Sequence, residues 1–265
     1  MPEGDTVYRT AAVLTDALAG HVLVRGELRH PRLSTVDLAG RVLRGVRTVG
    51  KHLFVRFDHD LSLRNHLGMD GSWRVYPAHA RWRLPAHQAR AVLASDERQA
   101  VGYLLRDMAL VPTSEEDGLV AHLGPDLLDP SWGPEHARAA LARLTADPTR
   151  EIGQAILDQR VMAGVGNVFK SEICFLLGVS PWTPVSEVDV ERAVALGRDL
   201  LDRNKMSVDR VTTGDHRPDR QLWVYGRRTT PCLVCGGRVL VGTQGPVAQE
   251  RVTYFCPRCQ PGPRD

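Results

Sequence analysis

Four cysteines near the C-terminus constrain this chain more than any other feature. Cys232-x2-Cys235 and Cys256-x2-Cys259 are separated by twenty residues. Each tight knuckle aims two sulfurs at one point, and two knuckles at that spacing specify a tetrathiolate site for one zinc ion. Four thiolates leave no coordination position for water, so the zinc expected here is structural and not catalytic. Between the knuckles, Val239-Leu240-Val241 and Val252-Thr253-Tyr254-Phe255 predict the two strands of a hairpin. Disulfides are the poorer reading, because nothing else in the chain points to an oxidising compartment. The fifth cysteine, Cys174, lies in an apolar helical stretch and is expected in a core. Zinc ribbons serve transcription, translation and repair, so the module alone implies contact with nucleic acid or protein and no more.

The remaining 230 or so positions have to supply the rest of the fold, and with 265 residues there is room for two modest domains with real cores. Of the 34 basic residues, all but Lys51, Lys170 and Lys205 are arginines, whose planar forks suit phosphates and base edges. The net charge of +3 permits nucleic-acid binding without establishing it. The first twenty residues carry Glu3, Asp5, Arg9 and Asp16, which no signal peptide would, and no apolar run is long enough for a membrane span. A cytoplasmic protein is expected.

Residues 3–19 read as a helix, with Val7, Ala11, Leu14 and Leu18 at helical spacing and Gly20 as the stop. The pattern then changes to period two: Val22 and Val24, Val42 and Val46, Leu53, Val55 and Phe57, Leu61 and Leu63, with further strand signals near 90–94 and 98–105. Successive short strands favour an antiparallel sandwich or barrel. This first domain is expected to span 1–112. A breaker-rich linker follows at 113–130. Helices are expected at 134–145, 149–158, 166–177 and 187–203, with Thr149 and Ser186 as N-caps and Ser186 with Asp189 as a capping box. Residues 131–222 form this second domain, ending in a polar loop at 205–222, and the metal module occupies 223–265.

Two further motifs carry chemistry. Removing Met1 would leave Pro2 as a secondary amine beside the Glu3 carboxylate. Such an amine can attack an aldehyde-like carbon to give an iminium ion, and Glu3 would be placed to move the proton. The run from Gln159 to Ile173 joins two helices through Ala163-Gly164-Val165-Gly166-Asn167. The glycines allow close backbone approach to an anion, and the second helix's N-terminus with Asn167 could hold a phosphate. An ordinary interhelical turn is the other reading. Arg251 has the same ambiguity, as a phosphate ligand or a solvated arginine.

Together, Pro2-Glu3, Gly50-Lys51-His52, the glycine turn at 163–167 and the tail from Tyr225-Gly226-Arg227 to Cys259-Gln260 resemble one family, the formamidopyrimidine-DNA glycosylases and endonucleases VIII of base-excision repair. These pieces occur in the family's order over essentially the whole chain. The resemblance implies an α+β multidomain protein: an N-terminal helix on an antiparallel β-sandwich, a helix-two-turn-helix domain and a zinc hairpin, with damaged DNA held between the halves. Pro2 would be the nucleophile at C1′, Glu3 the acid that assists ring opening, and Lys51 the ligand of a phosphate beside the lesion. Asn167 and Arg251 would grip phosphates flanking a flipped nucleotide. The expected outcome is base excision followed by β- and δ-elimination, carried out by a monomer working on nucleoid DNA.

Met1-Pro2-Glu3-Gly4 looks more like the endonuclease VIII branch, which acts on oxidised pyrimidines, than the purine-directed branch. In His66-Leu67-Gly68-Met69-Asp70-Gly71, Met69 is the expected wedge between bases, against the reading of a core methionine at a turn. The stretch from Arg98 to Asp107 lacks the purine branch's Arg-Arg-Phe-Gly motif, which leaves the partner-base reader open. Asp5-Thr6 stands where several members place a further carboxylate, and no catalytic role is assigned to it. The loop at 212–219 is a candidate cover for the flipped base. A purine-directed glycosylase, a non-catalytic damage binder and a zinc-ribbon transcription or translation factor are the competing readings.

Overall fold

A computed structural model describes residues 2–105 and 107–264. The first helix, α1 (Gly4–Leu18), forms where expected. Its buried stripe of Val7, Ala11, Leu14 and Leu18 has helical spacing, and Gly20 ends it at φ +83°. Eight strands follow: β1 (Arg25–Leu28), β2 (Leu43–Val49), β3 (His52–Phe57), β4 (Leu61–His66), β5 (Ser72–Pro77), β6 (Ala89–Ala94), β7 (Arg98–Tyr103) and β8 (Asp107–Pro112). They pair antiparallel in two sheets, ordered β1-β6-β7-β5 and β2-β3-β4-β8. The core contains the stripe of α1 with Leu53, Val55 and Phe57 of β3, Leu63 of β4, Ala91 and Leu93 of β6 and Ala100 of β7. A smaller aromatic cluster comprises Tyr76, Tyr103, Val92 and Val101, with Trp82 packed against it.

One sequence expectation needs correcting here, and two strands were not expected. Val22 and Val24 do not begin a strand facing the core: both are more than half exposed, and Leu23 between them is buried, so the parity is reversed. Strand β5 went unrecognised because its apolar residues serve two clusters, Trp73 in the main core and Tyr76 in the aromatic one. Strand β8 escaped because Met108-Ala109-Leu110-Val111 has no polar alternation to mark it.

The chain divides into two compact units at His122 and Leu123. The stretch expected as a linker, 113–130, is thus shared between them. Its first part, including α2 (Glu116–Val120), is held to the sandwich by Glu116. That carboxylate is fully buried and accepts hydrogen bonds from Arg56 Nε at 3.0 Å, Ser62 Oγ at 2.6 Å and Arg47 at 3.1 Å.

In the second unit, α3 (Pro134–Leu144), α4 (Ile152–Leu157), α5 (Asn167–Leu177) and α6 (Val190–Asn204) are followed by β9 (Leu240–Gln244) and β10 (Arg251–Phe255). Helix α5 packs on α4, α6 and β10. The antiparallel hairpin forms as the sequence indicates, with Leu240 opposite Phe255. Neither expected N-cap acts as one. Thr149 Oγ1 donates to Asp147 in a turn, and α4 begins three residues later; Asp189, not Ser186, caps α6 by accepting from Arg192 N at 2.9 Å. The polar segment 205–222 contains neither helix nor strand.

Glu116 makes stability of the sandwich unit depend on acid. Burial raises its carboxyl, but the hydrogen bonds of Arg56, Ser62 and Arg47 outweigh this and hold it below the ordinary 4.5. Its folded value is therefore depressed, so its contribution is present above 4.5 and is lost as pH falls through the folded value. Glu116→Gln is expected to cost about 1–3 kcal/mol at neutral pH. In thermal melts the gap to the wild type should close as the solution is acidified.

Candidate active site and metal centre

In the sandwich unit, α1 and β2 carry the two ends of the expected catalytic group. Gly20 N donates to Leu43 O at 2.8 Å, and Val46 N donates to Thr15 Oγ1 at 3.1 Å. The helix thus runs antiparallel to the strand. From Thr15 back to Glu3 is about 18 Å along a helix, and from Val46 on to Lys51 is about 17 Å along a strand. Pro2, Glu3 and Lys51 therefore lie at the same end of the unit. Glu3 is fully buried at the N-cap of α1, where its backbone oxygen accepts from Val7 N at 3.0 Å and the helix dipole favours a carboxylate. Pro2 precedes it, half-buried. Asp5 is buried too, with Thr6 Oγ1 at 3.2 Å from its carboxylate. Met1, whose removal would free the Pro2 amine, lies outside the described residues.

Lys51 occupies the two-residue turn between β2 and β3, after Gly50 at φ +57°. His52 and His66 were named within motifs, but their pairing was not expected from the sequence. His52 pairs in register with His66, and His66 with Asp107, so a row of titratable groups crosses this end of the sheet. The two imidazoles meet edge-to-face at 5.4 Å. Burial, then the charges of His66 and Arg64, push His52 down to about 4. Burial and the Lys51 ammonium lower His66 as well. Two histidines fourteen residues apart, each beside a motif residue, were the available sequence signal.

His66 also builds the turn that presents Met69. Its Nδ1 accepts from Gly68 N at 2.9 Å, and Gly71 N donates to Leu67 O at 2.8 Å. A Cβ at Gly71 would lie 2.3 Å from that oxygen, so the turn requires glycine there. Leu67 points into the core while Met69 is 59% exposed, which excludes a core methionine. The stretch 98–107, where the partner-base reader was left open, covers β7 and the first residue of β8, and its Arg106 lies outside the described residues.

In the second unit, the glycine turn joining α4 to α5 is braced from within. Gln159 Nε2 donates to Leu157 O at 2.9 Å and Val165 O at 2.8 Å, while its Oε1 accepts from Gly164 N at 3.1 Å. Gly164 takes φ +110°, and Gly166 is the N-cap of α5. Asn167, next in the chain, is 4% exposed; its Nδ2 donates to Val252 O at 2.7 Å. Arg251 is exposed at the start of β10. The turn thus brings Asn167 to the strand that carries Arg251.

Cys232, Cys235, Cys256 and Cys259 place their sulfurs within 4.8 Å of one another and could hold a metal ion. Cys174 is fully buried, and burial pushes its thiol up to about 12, as befits a core residue. A more important group in α5 was missed. Glu172, fully buried, accepts from Trp223 N at 2.7 Å, Val224 N at 3.0 Å, Tyr225 N at 2.9 Å and the Thr212 hydroxyl. A lone acid between Ser171 and the apolar run Ile173-Cys174-Phe175 was the signal for it.

Comparison with known proteins agrees with this geometry. The formamidopyrimidine-DNA glycosylase N-terminal domain matches residues 1–103, and the H2TH domain of the same enzymes matches residues 123–214. The chain belongs to the formamidopyrimidine-DNA glycosylase and endonuclease VIII family. Within the family it lies on the endonuclease VIII-like branch. It is 51% identical to probable endonuclease 8 2 of Streptomyces coelicolor over 99% of this chain and 95% of that one. It is 46% identical to the DNA-(apurinic or apyrimidinic site) lyase Nei2 of Mycolicibacterium smegmatis over 98% and 99% of the two chains. Among solved structures, a MutM complex with DNA containing carbocyclic 8-oxo-G superposes with a TM-score of 0.80 at 20% identity, covering 98% of this chain and all of the other. At that identity the likeness establishes the fold alone.

The imidazole row gives this family member a second acid dependence. His52 binds fewer protons folded than unfolded, so stability should fall as pH drops from the ordinary 6.5 toward about 4. His52→Gln, which cannot titrate, should flatten that slope in chemical denaturation measured across the window.

Proposed function

We propose that this chain is a bifunctional DNA glycosylase and AP lyase of base-excision repair, with Pro2 as its nucleophile. The observation that carries the reading is the antiparallel run of α1 and β2, which brings the N-terminal proline, a buried carboxylate and Lys51 to one end of the sandwich. With Met1 removed, the Pro2 amine attacks C1′ of an extruded nucleotide and the damaged base departs. Glu3 supplies the proton that opens the sugar ring, which leaves an iminium between the amine and C1′. Loss of a C2′ proton then expels the 3′ phosphate, and a second elimination expels the 5′ phosphate. Lys51 holds a phosphate beside the lesion, Asn167 and Arg251 hold its neighbours, and Met69 fills the vacated stack.

Oxidised pyrimidines are the substrates we favour, on the Met-Pro-Glu-Gly start and on the relatives named endonuclease 8. A purine-directed enzyme is the second reading, and a panel of defined lesion duplexes separates the two. Among the described residues no helix is long and apolar enough to cross a membrane. We place the enzyme, as a monomer, on nucleoid DNA in the cytoplasm.

Borohydride should trap a covalent complex with duplex DNA containing an abasic site. Pro2→Ala, or a tag that blocks the N-terminus, should abolish it. Trapping that survives both changes would remove Pro2 as the nucleophile, and lesion binding without cleavage by the intact enzyme would support a damage binder instead.

The ion we assign to the four cysteines is a single structural zinc, whose tetrahedral preference suits four thiolates. Zinc would supply no chemistry to the reaction; it would fix the hairpin that carries Arg251. Elemental analysis should find one zinc per chain. A strong chelator should expose four reactive thiols and abolish DNA binding, with Cys174 reacting only after the chain is unfolded.

A further inference from the structure

Helix α5 contains a lysine that the proposed reaction leaves without a role. Lys170 is fully buried, and its Nζ donates to Thr253 Oγ1 of β10 at 2.6 Å. A buried ammonium is costly unless it meets an acceptor, and an apolar side chain of the same length would fill the space at less cost. What the ammonium grips is therefore informative. Thr253 Oγ1 in turn donates to Arg251 O at 3.2 Å. One turn earlier on the same helix, Asn167 Nδ2 donates to Val252 O at 2.7 Å. The backbone carbonyls of Arg251 and Val252 are thus both tied, directly or through one hydroxyl, to α5. Arg251 is also the first residue of β10, opposite Gln244, and forms the last ladder pair toward the turn at 245–250. Beyond it the hairpin has no further ladder bonds to fix its course.

We infer that Lys170, acting through Thr253, is a positioning residue that aims the exposed Arg251 guanidinium at a DNA phosphate. The inference rests on the reading of Arg251 as a phosphate ligand. The relay runs from the ammonium to the threonine hydroxyl and on to the carbonyl of Arg251. Asn167 holds the next carbonyl from the same helix face, so two phosphate ligands share one support. Removing the relay frees the start of β10, and Arg251 then no longer meets its phosphate in one geometry.

The test is the salt dependence of binding to a duplex carrying a tetrahydrofuran abasic-site analogue. The zinc-loaded full chain is used throughout, with zinc content checked for each variant. Each lost phosphate contact lowers the slope of log affinity against log salt by about 0.9. Arg251→Ala should show that loss. Lys170→Met and Thr253→Val should each reproduce it, Thr253→Ser should keep the wild-type slope, and adding Arg251→Ala to Lys170→Met should cost nothing more. A slope reduced in Arg251→Ala but unchanged in Lys170→Met and Thr253→Val would overturn the positioning role and leave Lys170 as packing alone. An unchanged slope in Arg251→Ala itself would instead overturn the reading of Arg251, and the positioning role with it. If Lys170→Met does not fold, Thr253→Val decides by the same criterion, because it leaves the ammonium in place and removes only the hydroxyl.

Discussion

The helical unit depends on one buried carboxylate. Glu172 gathers three consecutive backbone N–H groups, those of Trp223, Val224 and Tyr225, together with the hydroxyl of Thr212. The carboxylate is fully buried, and these donors compensate it. Satisfying both sides at once fixes the chain where it leaves the irregular segment and enters the metal module. Aromatic contacts follow from the same placement: Trp223 stacks on Phe175 at 5.5 Å, and Tyr225 meets Tyr254 at 4.8 Å. The neck of the 212–221 loop is set there too, by Thr212 N donating to Gln221 O at 2.8 Å. Beyond that neck, Asp215 holds Arg217 and Arg220, so the loop is closed by its own ion pairs.

The sandwich unit uses a different economy. The end that carries Pro2, Glu3 and Lys51 is defined by the direction of one helix against one strand. Hydrophobic burial along α1 sets the helix's rotation, and the Thr15 hydroxyl sets its register on β2. The first residues of the chain are consequently placed by the core itself. A chain terminus would ordinarily fray; here Pro2 adjoins a fully buried N-cap residue.

What could be read from the sequence were features whose signal is local. The stripe of α1, the alternation in β3 and β4, the cysteine knuckles and the glycine turn each declare themselves within a few residues, and the family's motifs add their order along the chain. Features settled by partners far away in sequence did not declare themselves. Glu172 and Lys170 look like ordinary helix-surface residues until Tyr225 and Thr253 are brought against them. Glu116 looked like part of a linker, because nothing nearby reveals that Arg47 and Arg56 converge on it. The caps were misread because Ser186 and Thr149 are good cap residues by type, while an aspartate three residues after the serine does the work. His52 and His66 were visible as letters, but their opposition is a consequence of strand register, which single-strand patterning does not supply.

The two buried ionic groups of α5 also impose an order of assembly. Both lie within residues 167–177, yet their partners come 40 to 83 positions later. During synthesis Glu172 therefore precedes the backbone donors of residues 223–225, and Lys170 precedes the Thr253 hydroxyl. Contacts of such sequence separation carry a loop-closure cost that is recovered only when the last strand docks. The C-terminal hairpin thus completes a layer that α4 and α6 begin around α5, and a nascent chain that ends before Thr253 lacks the hydroxyl that Lys170 meets on β10.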